Sequence, residues 1–106
     1  MKQFKIGVMV DSFRLEIREG IQKAAEIGAE GIQIYATSGE MAPQNLNAAK
    51  RKEILDRIKS NGLVVSAICG DLGGHGFAVA ADNARRIEQS KRIMDLAKDL
   101  ETDVVT

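Results

Sequence analysis

Apolar residues are concentrated in short runs, which alternate with longer stretches in which they recur at helical spacing. The runs are Phe4 to Val10, Ile32 to Ala36 and Leu63 to Cys69, and a last one opens at Asp103 to Thr106. In the first run, Ile6, Val8, Met9 and Val10 place apolar side chains on both faces, as expected for a parallel strand covered by helices. The pattern therefore predicts three strands and the beginning of a fourth.

Between these strands, apolar residues return every three or four positions, which predicts three amphipathic helices. Carboxylates and small polar side chains favour helix starts, whereas glycine favours helix ends. The residues expected at the helix termini are Glu16 and Glu19 with Gly28 for the first helix, Asn45 or Asn47 with Gly62 for the second, and Asp82 or Asn83 for the third.

The order of elements is β-α-β-α-β-α-β, which predicts an α/β fold with a parallel sheet and right-handed crossovers. The predicted strands begin near Lys5, Gly31, Leu63 and Asp103, so the units are 26, 32 and 40 residues long. A (β/α)₈ barrel of about 250 residues averages about 31 residues per unit. On that scale, residues 1–106 form a single segment, the N-terminal three and a half βα units of a TIM barrel. An open doubly wound sheet is the alternative. In both folds, loops such as 37–44 and 70–81 follow strand ends and carry function.

Charge and cysteine content narrow the class of partners. The 15 basic and 15 acidic residues give no net charge, so we expect neither nucleic acid nor membrane as a partner. The basic run 50–52 lies on the second helix with acidic residues nearby, and we expect it to be a solvated outer face; a phosphate-binding patch is the alternative. The single cysteine, Cys69, is expected to be buried and cannot form an internal disulfide, which indicates the cytoplasm.

Polar residues follow the first two predicted strands. Asp11 and Ser12 either cap the first helix or line the mouth of a barrel. Tyr35 at the second strand end offers a ring and a hydroxyl to a sugar-like ligand, with Glu40 nearby. The alternative is a plain turn at residues 39–43 that leaves these side chains solvated.

A glycine-rich segment, residues 70–77, follows the third strand and contains the only histidine, His75. Histidine changes charge near neutral pH and can bind metals, so His75 is a candidate for acid–base or ligand duty. Asp71 is expected to orient it. One histidine and one aspartate make an incomplete metal site, and a solvated histidine in a glycine loop is the alternative. No phosphate-binding loop or dinucleotide-binding motif occurs.

Four stretches together resemble the xylose isomerase-like TIM barrel superfamily, which holds sugar and sugar-phosphate isomerases, 3-epimerases and apurinic endonucleases. The most recognisable is the helix-glycine-small-acidic-glycine-strand passage. The stretches are Lys5 to Asp11, Ala24 to Tyr35, Asn61 to Cys69 and Arg85 to Thr106.

The resemblance implies isomerisation or epimerisation of a small sugar or sugar phosphate beside its carbonyl. It also implies a divalent metal (Mn, Mg, Co or Zn) held by two Glu, one Asp and one His of later strands. We therefore expect these ligands beyond residue 106, no metal bound by this segment, and no catalytic residue assigned within it. By position, Asp11, Tyr35, Glu40 and His75 match regions that line the family's substrate mouth, and with Asp71 they are the candidate substrate-binding residues.

Further expectations concern the segment by itself. It is expected to be inactive as an isomerase and to form a homo-oligomer through exposed strand edges and an apolar inward face. A non-enzymatic α/β module that self-associates through those edges is the alternative. A fragment of a DNA-repair endonuclease is disfavoured by the zero net charge.

Overall fold

Three strands and three helices alternate along the chain in a computed structural model that describes residues 4–106. Two short 3₁₀ turns interrupt the connection between the second strand and the second helix, and another follows the first strand. In chain order the elements are β1 (Gly7–Met9), a 3₁₀ turn (Val10–Phe13), α1 (Ile17–Glu26), β2 (Gly31–Tyr35), two 3₁₀ turns (Gly39–Met41 and Pro43–Asn45), α2 (Ala48–Ser60), β3 (Val64–Cys69) and α3 (Ala80–Asp99).

The three strands form one parallel sheet in the order β1-β2-β3. The register places Gly7 beside Gly31 and Tyr35 beside Cys69, with one irregularity after Ile32. Parallel neighbours in sequence order are what successive crossovers through helices produce. The predicted βα alternation is confirmed.

The predicted fourth strand is present as a single parallel bridge between Val105 and Ile68. The N–H of Ile68 donates to the carbonyl of Val104 (2.9 Å), and the N–H of Thr106 donates to the carbonyl of Ile68 (2.9 Å). A third bond runs from the N–H of Gly70 to the carbonyl of Thr106 (2.7 Å). The chain therefore enters the sheet beside β3 at the position and in the direction that the pattern predicts.

All three helices cover one face of the sheet. Ile32 and Ile34 of β2 point to that face and are fully buried among helix side chains. Since alternate residues of a strand point to opposite faces, one apolar set per strand suffices for this core. The core residues from the helices are Ile17, Ile21, Ala24, Ile54, Ile58, Ile93, Leu96 and Ala97.

The opposite face of the sheet is open within residues 4–106, and it is not uniformly apolar. It presents Gly7 and Met9 of β1, Gln33 and Tyr35 of β2, and Ser66 of β3, none of which is buried. The predictions that β1 is covered on both faces and that the inward face is apolar are therefore wrong. Helices pack against only one side, and the other side mixes glycine and polar residues with the apolar Met9, Val64 and Cys69.

The first two helices begin as expected. The Glu16 carboxylate caps α1 by accepting the N–H of Glu19 (2.7 Å), and Asn47 caps α2 by accepting the N–H of Lys50 (2.8 Å). These bonds satisfy N–H groups that have no partner within the helix. Asn45, the alternative cap, lies in a 3₁₀ turn.

The third helix begins earlier than expected. It starts at Ala80, after Val79, and no side chain caps it. Asp82 lies inside the first turn, where its carboxylate contacts His75. The prediction that Asp82 or Asn83 is the cap is wrong, because two alanines with high helix propensity extend the helix toward its N-terminus.

The basic run on α2 divides into two kinds of residue. Lys50 and Lys52 are exposed, as predicted. The Arg51 side chain is only 17% exposed and pairs with Asp99 (2.9 Å). It also donates to the carbonyls of Leu46 (2.9 Å) and Pro43 (3.1 Å), so the prediction of a solvated run is wrong for Arg51.

We expect Arg51→Ala to lower the free energy of unfolding by about 1.5–3 kcal/mol, because two loop carbonyls and Asp99 lose a charged donor. The adjacent Lys52→Ala is the control, since the Lys52–Asp56 pair is exposed and such pairs contribute about 0.5 kcal/mol or less. Urea denaturation followed by circular dichroism measures both. Equal effects of the two substitutions would contradict this role of Arg51.

Candidate functional site

The carboxyl ends of the three parallel strands meet at one edge of the sheet. Asp11 lies just after β1, Tyr35 ends β2, and the glycine-rich segment follows β3. In βα folds the loops at this edge hold the functional groups, because they vary without disturbing the core. Most of the residues singled out from the sequence lie here.

Asp11 is tied to the end of the neighbouring strand. It lies in the 3₁₀ turn after β1, and its Oδ2 accepts the backbone N–H of Tyr35 (3.0 Å). Since Glu16 caps α1, the alternative that Asp11 or Ser12 caps this helix is wrong. Burial raises the pKa of the Asp11 carboxyl above its ordinary value, and the bond from Tyr35 opposes this only partly.

Asp11 and Tyr35 line a cavity of about 270 Å³ between β1, α1 and the loop after β2. The other polar lining residues are Glu16, Ser38 and Glu40. The lining holds three carboxylates and no lysine or arginine. The structure thus brings together three of the predicted residues and adds Glu16, which the sequence pattern marks only as a helix-terminal carboxylate.

Glu40 also has a structural role. Its carboxylate accepts the N–H of Ile17 (3.3 Å) and a bond from Nη1 of Arg18 (3.1 Å). The loop after β2 is thereby held against the first turn of α1. Arg18 in turn bonds Glu53 of α2 through Nε (3.0 Å) and Nη2 (2.9 Å), which links the cavity wall to the next helix.

His75 and Asp71 form a separate cluster and do not line this cavity. His75 Nε2 lies 2.8 Å from Oδ2 of Asp82, on the first turn of α3. The Asp71 carboxylate instead accepts the N–H of Gly73 (2.8 Å) in a local turn of its own. The prediction that Asp71 orients His75 is therefore wrong, and Asp82 is the partner.

The segment carrying His75 rests on a buried arginine of α3. Arg86 is 8% exposed, and its Nη1 donates to the carbonyl of Gly73 (2.9 Å). A Cβ at Gly74 would lie 3.1 Å from Nη2 of Arg86, and Gly74 has φ +66°, so any other residue would be strained there. Nothing in the helical pattern singles out Arg86, since arginine at a buried helix position is uncommon.

The described residues do not fit the divalent metal that the resemblance implies. Within residues 4–106, no three His, Cys, Asp or Glu side chains cluster closely enough to hold a metal ion. Cys69 is buried, as predicted. In the same part of the chain, no helix combines the length and the apolar character needed to cross a bilayer.

Solved structures share this fold. The probable 3-DHS dehydratase AsbF involved in petrobactin synthesis from Bacillus anthracis is 25% identical and superposes with a TM-score of 0.71. A xylose isomerase domain protein from Planctomyces limnophilus (18%, TM-score 0.71) and a D-psicose 3-epimerase crystallised with D-fructose (18%, TM-score 0.74) also match. Each alignment covers 96% of this chain but only 37%, 40% and 36% of the respective structure.

The chain thus spans well under half the length of these structures. No curated protein sequence matches it. The family model of the xylose isomerase-like TIM barrel matches residues 21–106, which runs from α1 to the bridge beside β3. With this match and the parallel βα order, the chain belongs to the xylose isomerase-like TIM barrel family.

Proposed function

We propose that this chain provides part of the substrate mouth of a sugar isomerase or epimerase. The observation that carries the proposal is the acidic cavity at the carboxyl ends of β1 and β2, where Asp11 and Tyr35 meet. The family's solved structures include a dehydratase and an epimerase, which supports enzymatic activity at a coarse level.

The lining suits the hydroxyl groups of a neutral sugar. Ionised carboxylates accept hydrogen bonds and donate none, so Asp11, Glu16 and Glu40 complement hydroxyl donors. The half-exposed ring of Tyr35 offers an apolar face to the C–H side of a sugar and a hydroxyl that donates or accepts. No lysine or arginine lines the cavity, and the nearby Arg18 guanidinium is already paired with Glu40 and Glu53, so the uncharged part of the substrate belongs here.

Chemistry at the carbonyl needs groups beyond this lining. Proton transfer beside a carbonyl requires a general base and a general acid, and we assign neither to residues 4–106. The metal ligands and the acid–base pair are proposed to belong to the part of the family's barrel that this chain does not span, as the resemblance implies. A cytoplasmic location remains a prediction from the single cysteine.

A ketohexose titration tests the proposal. The chain is titrated with D-fructose and D-psicose while ¹H–¹⁵N spectra are recorded, and we expect saturable shifts at Asp11, Tyr35 and Ser38. Absence of shifts at this cavity for every sugar would overturn the proposal. The 25% identity to the dehydratase favours a second candidate, so 3-DHS is titrated in parallel. Binding of 3-DHS without binding of sugars would replace the isomerase by a dehydratase.

The charge state of Asp11 makes stability depend on pH. Because burial raises its pKa in the folded state, folding favours the protonated carboxyl, and this contribution is lost as pH rises through the raised pKa. We expect Asp11→Asn to match the parent below about pH 4 and to become more stable than it toward neutral pH. Urea denaturation at several pH values measures this. Asp95→Asn, an exposed aspartate of α3, controls for loss of a charge. A smaller advantage of Asp11→Asn at neutral than at acidic pH would contradict it.

Self-association is the proposed state of the 106-residue chain. The outer edge of β1 pairs with no strand within residues 4–106, and the apolar side chains of Phe4, Ile6 and Val64 are exposed. Such edges and apolar residues recruit a second copy. Sedimentation velocity at micromolar concentration is expected to show a dimer or larger species. A single monomeric species would refute it, whereas association without binding of sugar or 3-DHS would favour the non-enzymatic module.

A further inference from the structure

A second cavity at the same edge of the sheet has the opposite electrostatic character. It has a volume of about 190 Å³ and lies between the loop after β2 and the helix α3. Buried Ala36 and Ile93 form part of its wall, and its polar lining consists of Thr37, Gln44, Gln89 and Arg92. No carboxylate lines it. The acidic cavity, in contrast, is lined by three carboxylates and no cation.

Arg92 is a cation without a partner inside the described part of the chain. The neighbouring cations of α3 have partners, since Arg85 lies 3.7 Å from Asp82 and Lys91 lies 3.5 Å from Glu88. No ion pair or hydrogen bond within residues 4–106 engages the Arg92 guanidinium. Its five N–H donors are therefore available at the rim of a concave, partly apolar surface.

We propose that this second cavity binds a phosphate group. A guanidinium presents two parallel N–H donors that match two phosphate oxygens, and such charge-assisted bonds are stronger than neutral ones. The Thr37 hydroxyl and the amides of Gln44 and Gln89 add neutral donors for the remaining oxygens. The lining has no carboxylate that would bind a cationic ligand, and a neutral ligand would not neutralise the charge of the guanidinium. An anion is therefore the ligand class that fits.

The volume of the second cavity limits the size of the ligand that it can bind. Pockets for small molecules usually hold about 300 Å³ or more, so this cavity accommodates one anionic group and little else. The phosphate comes either as the free ion or as the ester group of a larger metabolite that extends into solvent. The inference is independent of sugar binding at Asp11 and Tyr35, because the two cavities share no lining residue.

A phosphate titration at constant ionic strength tests the site. We expect saturable ¹H–¹⁵N shifts at Thr37 and Leu72 and at the Nε–H of Arg92, and about tenfold weaker binding for Arg92→Gln, equivalent to about 1.4 kcal/mol. Arg92→Lys keeps the charge without the paired donors and is expected to be intermediate. Arg85→Gln, one charge removed elsewhere on the same helix, should bind like the parent. Equal weakening by Arg92→Gln and Arg85→Gln, or shifts that do not saturate, would overturn the proposal.

A second arm identifies the source of the phosphate. D-Fructose 6-phosphate that binds several-fold more tightly than inorganic phosphate supports an ester, and equal affinity supports the free ion, provided that Arg92→Gln weakens either one. Binding of both that is insensitive to Arg92→Gln rejects the site. Binding of D-fructose at Tyr35 without binding of phosphate would reject the phosphate site and leave the sugar site standing. Binding of phosphate without binding of D-fructose would reject only the proposed sugar site.

Discussion

Ile34→Ala is expected to lower the free energy of unfolding by about 2–5 kcal/mol, enough to leave a small domain mostly unfolded. Ile34 is fully buried on the central strand, with β1 and β3 paired on either side and helices over it. The strand is fixed by both neighbours and cannot move to fill the volume that the side chain vacates. The cost therefore combines lost transfer free energy with a residual cavity.

The matched control is Ile87→Ala on α3, where the isoleucine is 45% exposed. Alanine has the higher helix propensity, so the change in stability is expected to stay within about 0.5 kcal/mol of zero. Urea denaturation of the two variants, followed by circular dichroism, gives the comparison. A loss below about 1 kcal/mol for Ile34→Ala would contradict its place at the centre of the core.

The helices and the order of elements along the chain could be predicted because they depend on local periodicity. Positions such as Ile32 and Ile34 are apolar and alternate with residues of the open face, which fixes both element and orientation. Gly28 and Gly62 both have positive φ just after α1 and α2, as expected for glycines that end helices.

The extent of β1 could not be predicted from its apolar run. Phe4 to Val10 is continuously apolar or basic, yet the strand covers only Gly7–Met9. Val10 turns into a 3₁₀ segment that brings Asp11 to Tyr35 and ends at Arg14 with φ +57°. A tertiary hydrogen bond, absent from the sequence pattern, thus sets the strand end.

The hydrogen-bond partners of the loop residues could not be predicted either, because they depend on contacts between distant parts of the chain. His75 pairs with Asp82, and Gly73 with Arg86, only because the glycine segment folds back over the first turns of α3. Glycine allows many backbone paths, so no spacing rule selects this one. Asp11 and Tyr35, in contrast, could be placed at one edge of the sheet, because the carboxyl ends of parallel strands meet there.

Tyr35→Ala is expected to weaken D-fructose binding about tenfold or more. The substitution removes both the ring that packs on the sugar and the hydroxyl that bonds it, each worth about 0.5–1.5 kcal/mol. Tyr35→Phe keeps the ring and loses the hydroxyl, so it should bind several-fold more weakly than the parent and more tightly than the alanine variant. The ¹H–¹⁵N titration measures all three affinities.

The free energy of unfolding of the two Tyr35 variants shows whether weaker binding comes from a lost contact with the sugar or from a damaged fold. Tyr35 is 40% exposed at the end of β2, and its backbone N–H still reaches the Asp11 carboxylate in either variant. We therefore expect the unfolding transition to change little. Val64→Ala, an exposed residue of the neighbouring strand that does not line the cavity, is the matched control and should leave the affinity unchanged. Parent-like affinity in Tyr35→Ala would contradict the proposed contact between the sugar and the Tyr35 ring, which is part of the cavity lining.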